Sequence, residues 1–90
     1  MHFRRDPSID AALRTLDEDD RRIALLWFDR LRNWDTDPGA HAASKPTPYA
    51  GIYALHLPVD LRIFFRLDET NQEITVLDML KPSRFGALAG

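Results

Sequence analysis

Two arginines and a histidine in the C-terminal half of the chain have the spacing of a site that binds an anion and moves a proton. Arg62, Phe64 and Arg66 alternate with aliphatic residues, so a β-strand places all three side chains on one face. If residues 58–60, "PVD", form a tight turn, His56 of the preceding strand lies opposite Arg62 as a cross-strand neighbour. An arginine supplies a permanent positive charge. A cationic neighbour favours the neutral form of a histidine, which is able to accept a proton.

Each of these side chains also has an ordinary structural interpretation. Arg62 can pair with an acid or cover the sheet with its aliphatic stem. Arg66 is close to a predicted acidic turn, where a salt bridge to Asp68 or Glu73 competes with ligand binding. Phe64 is either covered by neighbouring residues or available as a platform for stacking. The histidine is a proton acceptor or simply a surface residue of a strand.

The composition is that of a single globular domain spanning residues 1–90. Hydrophobic residues make up 44% of the chain and charged residues 29%. The absence of cysteine excludes disulfides and thiolate catalysis. The three histidines are far apart in the sequence, so we expect neither a metal site nor a cofactor. No apolar run is long enough to span a membrane, and no signal peptide precedes the first strand, which predicts a cytoplasmic protein.

A formal net charge of −2 argues against nucleic-acid binding through bulk positive charge. Three of the acids in the C-terminal half, however, cluster at one predicted hairpin turn: Asp68, Glu69 and Glu73. The strands themselves are therefore locally basic, and a small cationic site on a mildly acidic protein is compatible with the composition.

Two N-terminal segments have the periodicity of amphipathic helices. In the first, Asp6 is placed to cap and Pro7 to begin a helix of about three turns. Residues 17–34 begin with acids, which favour the N-terminus of a second helix. Its predicted apolar stripe has five members: Ile23, Leu26, Trp27, Leu31 and Trp34. Leu25 points away from this stripe and Phe28 lies at its edge, so both are expected to leave apolar surface exposed, either as scattered exposure or for a protein partner.

The strands are predicted around these helices. Residues 1–6 contain a short strand, and residues 35–51, rich in proline, are predicted to form a long loop. Residues 51–57, 61–67 and 73–80 then form an antiparallel meander. The aliphatic side of the meander must pack on the helices, which leaves the histidine and both arginines on the open face. The predicted fold class is α+β, with two N-terminal helices on a small antiparallel sheet in the order β-α-α-β-β-β.

This order of elements, together with "GIYALHLPVDLRIFFRLDETNQEITVLDML" at residues 51–80, resembles the RelE/ParE superfamily of bacterial toxins. The resemblance covers nearly the whole chain, and its most specific part is "LRIFF" at residues 61–65. It implies the toxin of a type II toxin–antitoxin pair, neutralised by a cognate antitoxin protein. In the ribonuclease branch of the superfamily the toxin enters the ribosome and cleaves mRNA without a metal, which inhibits translation.

The resemblance also implies roles for individual residues. Transfer of a phosphoryl group from the 5′-oxygen to the adjacent 2′-hydroxyl needs a base, a cation for the phosphorane and an acid. Arg62 matches the arginine of the third strand in the family, His56 stands at a basic position of the second, and Arg84 lies in the basic C-terminal region. These three are the candidate catalytic residues. The candidate RNA-binding residues are Lys45, Phe64, Arg66, Lys81 and Phe85. The candidate antitoxin contacts are Leu25 and Phe28.

Departures from the family pattern keep two other interpretations open. Ala54 occupies an outward position of the second strand where the family often has a base, and Phe85 has no hydroxyl to move a proton. One alternative is a ParE-like protein that inhibits DNA gyrase by binding, without catalysis. The other is an inactive relative that retains only its antitoxin. The sequence leaves the oligomeric state open.

Overall fold

The computed structural model describes residues 1–83. Its helices are α1 (Ser8–Thr15), α2 (Glu18–Arg32) and α3 (Pro38–Ala43), with a 3₁₀ turn at Trp34–Thr36 between the last two. Its strands are β1 (His2–Arg5), β2 (Ser44–Pro46), β3 (Ile52–His56), β4 (Arg62–Asp68) and β5 (Glu73–Leu80).

The strands form one mixed sheet in the order β1-β5-β4-β3-β2. The predicted meander of β3, β4 and β5 is confirmed, and both of its pairings are antiparallel. Two edge strands extend it, because β1 runs parallel to β5 and β2 runs antiparallel to β3. The α+β class is confirmed, whereas the purely antiparallel sheet of the prediction is wrong at the β1 edge.

The first two helices begin where their capping residues stand. The backbone amide and hydroxyl of Ser8 donate to the Asp6 carboxylate at 3.0 and 2.8 Å, which starts α1. The helix is shorter than the predicted three turns, because Leu16 is already extended. Asp17 then caps α2 by accepting a hydrogen bond from the Asp20 amide at 2.8 Å.

The predicted loop over residues 35–51 is wrong for its first two thirds, which contain α3 and β2. Asp37 caps α3 by accepting from the Ala40 amide at 3.1 Å. The same carboxylate binds the guanidinium of Arg30 through two hydrogen bonds of 2.8 Å each. This anchor to α2 holds a six-residue helix that is too short to show a periodic apolar pattern.

The predicted apolar stripe of α2 is rotated about the helix axis. Leu26, assigned to the core, is 59% exposed, and Phe28, assigned to an exposed edge, is only 3% exposed. Both of these predictions are wrong. Phe28 is buried because its ring contacts that of Phe3 on β1, with centroids 5.8 Å apart. Leu25 is 46% exposed, as expected.

The core lies between the helices and the inner face of the sheet. Phe65 of β4 is fully buried at its centre, where its ring meets the edge of Trp34 and stacks on Tyr53, each at 5.7 Å between centroids. Ile63 and Val76 flank it on the same face, also without exposed surface. Within residues 1–83, no helix has both the length and the hydrophobicity to cross a bilayer.

Candidate functional site

His56 and Arg62 are direct cross-strand partners at one end of the sheet. The β3–β4 register pairs His56 with Arg62 and continues with Ala54 opposite Phe64, which confirms the predicted register. The turn between the strands is tight, since the Leu57 amide donates to the Leu61 carbonyl at 3.4 Å. The proton-accepting ring and the guanidinium therefore project from adjacent positions of the same sheet face.

Burial on β4 alternates as the sequence predicts. Ile63 and Phe65 have no exposed surface, whereas Arg62 and Arg66 are exposed and Phe64 is half-buried. The inner row is fixed by the core, so the outer row has no freedom to turn inward. Both arginines and the phenylalanine ring thus share the open face.

Lys45 of β2 joins this face through a pairing that the sequence did not reveal. It is the cross-strand partner of Ala54, which is in turn opposite Phe64, so the three residues form one row across the sheet. Lys45 is exposed and Ala54 is buried between its neighbours. Strand β2 consequently supplies a cation beside Ala54, the position at which β3 lacks one.

The electrostatics of the site favour a neutral histidine. Partial burial lowers the pKa of His56 below its ordinary value of 6.5, and the positive charges of Arg62 and then Lys45 lower it further. Neither of these cations forms an ion pair with another residue among 1–83. At neutral pH the imidazole is therefore a proton acceptor beside two positive charges that have no ion-pair partner in the described part of the chain.

Arg66 lies on the same face of the sheet, towards the other end of β4. The expected salt bridge to Asp68 or Glu73 is absent among residues 1–83. Glu73 instead pairs with Arg4 at 3.6 Å. Hydrogen bonds from Asn71 lower the pKa of Asp68, with only a small contribution from the charge of Arg66. The guanidinium of Arg66 therefore extends the positive charge along the open face.

Among the remaining predicted site residues that the structure describes, Lys81, Leu25 and Phe28 do not lie on this face. The Lys81 ammonium forms an ion pair of 2.7 Å with Asp20 of α2, and the two side chains are only 23% and 15% exposed. This contact directs Lys81 towards the helices. Arg84 and Phe85 lie outside the described residues. Leu25 is on the outer surface of α2, and burial removes Phe28 from any surface that a partner can reach without rearrangement.

A cleft beside His56 and Arg62 was not anticipated from the sequence. It has a volume of about 230 Å³ and is lined by His56, Leu57, Val59, Asp60, Leu61, Arg62 and Pro82. Its lining combines the turn after β3 with the segment after β5, which are far apart in the chain. The only local signal was the apolar Val59 in the middle of a turn, where it is 36% exposed.

Comparison of the chain with family models, with curated proteins and with solved structures gave no match. Among residues 1–83, no three side chains of His, Asp or Glu gather closely enough to hold a metal ion. The open face of the sheet offers one neutral imidazole, three exposed cations on two strands (Lys45 on β2, Arg62 and Arg66 on β4) and the ring of Phe64. An extended polyanion with aromatic bases matches this arrangement.

Proposed function

We propose that this protein is the toxin of a type II toxin–antitoxin pair and that it inhibits translation as a ribosome-dependent, metal-independent mRNA endonuclease in the cytoplasm. The observation that carries the proposal is the direct pairing of His56 with Arg62, with Lys45 close enough to influence the histidine. This pairing gives the base and the cation that phosphoryl transfer to a 2′-hydroxyl requires.

In the proposed reaction His56 accepts the proton of the 2′-hydroxyl, and the 2′-oxygen attacks the adjacent phosphorus. The planar guanidinium of Arg62 binds two phosphate oxygens as negative charge builds on them, and Lys45 adds a second positive charge. The bond from phosphorus to the 5′-oxygen breaks, leaving a 2′,3′-cyclic phosphate, and the 5′-oxygen takes up a proton. Arg84, which the family resemblance includes among the catalytic residues, stays a prediction from the sequence.

The rest of the open face is proposed to hold the RNA strand. Phe64 lies between the two arginines of β4 and offers a half-buried ring on which a base can stack. Arg66 is two residues further along, about 7 Å from Phe64 at the usual rise of a strand, and is placed to bind a neighbouring phosphate. Lys45, Arg62 and Arg66 form no ion pair among residues 1–83, so these cations can contact RNA locally in spite of the acidic net charge of the whole chain.

Induced expression without an antitoxin tests this function. Growth should arrest, and primer extension should find new 5′ ends inside translated messages. A His56→Ala variant should cleave programmed ribosomes about 10²–10⁴-fold more slowly if the imidazole is the general base. Arrest with intact messages and with broken or relaxed DNA would instead assign the protein to gyrase inhibition. If growth does not arrest, the protein would be assigned as an inactive relative of these toxins that only binds its antitoxin.

The antitoxin is proposed to contact α2. Leu25 and its neighbour Leu26 are both exposed, at 46% and 59%, and together they leave an apolar area on the outer surface of this helix. Replacing both leucines by serine should weaken binding of the cognate antitoxin without lowering the melting temperature of the free toxin. A complex in which both side chains remain accessible to solvent would contradict this placement.

A further inference from the structure

The cleft at the β3–β4 turn continues the proposed site beyond the sheet face. Two of its lining residues, His56 and Arg62, are the paired histidine and arginine. The rest of the lining consists of four apolar residues, of which Val59 is exposed, and the acid Asp60. A ligand that enters the cleft can therefore contact the Arg62 guanidinium, the neutral imidazole of His56 and aliphatic groups.

The wall formed by Pro82 is held in place from both sides. Before it, Lys81 is tied to α2 by its 2.7 Å ion pair with Asp20. After it, Ser83 donates from its backbone amide to the Asp60 carboxylate at 3.0 Å, and its hydroxyl donates to the same carboxylate. These contacts join the segment after β5 to the turn after β3. The cleft is thus a built feature whose two walls come from distant parts of the chain.

Size and chemistry limit what this cleft can hold. About 230 Å³ is below the roughly 300–1,000 Å³ of pockets for drug-sized ligands, so it accommodates one ring system. The Asp60 carboxylate of the lining accepts hydrogen bonds from Ser83. Proline and valine offer flat or compact apolar surfaces to a ring, and the Arg62 guanidinium favours an attached anion. A nucleobase that carries its own phosphate has both properties.

We propose that the cleft binds the base of the nucleotide whose 3′-phosphate lies at Arg62. This is the nucleotide that supplies the attacking 2′-hydroxyl, because His56, the proposed acceptor of that proton, lines the same cleft. The biological role of the cleft rests on the proposed function, in which it makes cleavage depend on the identity of this one base. Binding of the nucleotide itself does not depend on the ribosome and is tested separately.

The direct test is a titration of the isolated protein followed by NMR. The four nucleoside 3′-monophosphates are added one at a time, and inorganic phosphate is added in a parallel series. We expect the nucleotides to shift the amides of Leu57, Val59, Asp60 and Leu61 as well as those of His56 and Arg62, and to differ in affinity among the four bases. Phosphate alone should shift only the signals around His56 and Arg62. Nucleotide shifts that merely reproduce those of phosphate would overturn the base pocket and leave an anion site.

Val59→Trp fills the cleft, and Thr70→Trp is its matched control. Both residues are exposed in turns, but Thr70 belongs to the β4–β5 turn at the opposite end of the sheet. Val59→Trp should weaken nucleotide binding about tenfold or more, within the range measured for loss of stacking on one base, and Thr70→Trp should not. If thermal melts show that Val59→Trp does not fold, Val59→Ser, which removes the apolar rim, should also weaken binding. Wild-type affinity in a folded Val59 variant would overturn the inference.

Cleavage maps separate this inference from the proposed function. On programmed ribosomes, Val59→Trp should alter the preference for the base before the cut relative to Thr70→Trp. If the wild-type protein cleaves mRNA but the Val59 variant cuts with an unchanged pattern, the cleft assignment fails and the endonuclease stands. If the wild-type protein does not cleave but binds nucleotides as described, the endonuclease fails and the cleft stands.

Discussion

Replacing Arg62 by alanine removes the proposed phosphate-binding cation without removing a contact that holds the fold. The cleavage rate should fall about 10²–10³-fold, or about 2.7–4 kcal/mol in activation free energy, as for deletion of one electrostatic stabiliser elsewhere. The side chain is exposed and has no ion pair among residues 1–83. The free energy of unfolding should therefore change by about 0.5 kcal/mol or less.

Initial cleavage rates on programmed ribosomes and urea unfolding curves measure the two quantities. Arg14→Ala is the matched control, since Arg14 is an exposed arginine on α1 that also lacks an ion pair in the described part of the chain. Arg14→Ala should change neither the cleavage rate nor the free energy of unfolding. Arg62→Lys keeps the charge but loses the two-pronged geometry, so its rate should lie between those of the wild type and Arg62→Ala.

The same substitution should be visible in the titration of His56. Partial burial, Arg62 and Lys45 lower the pKa of this histidine, so removing Arg62 should raise it. In the wild type the neutral, base-competent form persists to a lower pH than for an ordinary histidine, and the acid limb of the rate profile lies correspondingly low. Arg62→Ala should move both the NMR titration and the acid limb towards higher pH. Wild-type cleavage by a folded Arg62→Ala protein would refute the sheet-face site, and early unfolding would show that Arg62 is structural.

Three further predictions concern the scaffold. Phe65→Ala should lower the free energy of unfolding by about 3–5 kcal/mol in urea titrations, because it empties the centre of the core; a loss below about 1 kcal/mol would contradict that placement. Hydrogen bonds from Arg30 lower the pKa of Asp37 from 3.8 to about 2, so its stabilising effect is complete above the higher value and is lost as the pH falls towards the lower one. Asp37→Asn should flatten the pH dependence of the melting temperature in that interval, and an unchanged slope would rule out this carboxylate as its source. Lys81→Met should cost about 1 kcal/mol of stability, with coupling to Asp20→Asn in a double-mutant cycle; purely additive effects would show that the pair contributes nothing.

Periodicity was enough to predict the meander and the register of its β3–β4 pair, but not the register shift at Phe64 and Phe65 in the β4–β5 pair. The alternation of Ile63 and Phe65 with Arg62 and Phe64 fixes which side of β4 is buried, and a three-residue turn then fixes His56 opposite Arg62. Local pattern carries this information because each strand of the meander pairs with its neighbour in the chain.

Features that depend on distant partners were not predictable in this way. Phe28 is buried because Phe3 lies against it, and the parallel docking of β1 has no local signature. Lys45 reached the open face only through the pairing of β2 with β3, in a segment whose prolines indicated a loop. Pro82 and Val59 line the same cleft from distant parts of the chain, and no periodic pattern links two such segments.

The parallel pairing of β1 with β5 has a consequence for the order in which the molecule folds. The hairpins of β3, β4 and β5 close short loops, whereas His2 must find Glu73 across on the order of 70 intervening positions, at a larger entropic cost. During synthesis β1 leaves the ribosome first and has no strand to pair with until β5 has followed it. Phe3 cannot cover Phe28 before then. The sheet is therefore expected to assemble from its C-terminal strands. The strand β1, which is synthesised first, is expected to dock last.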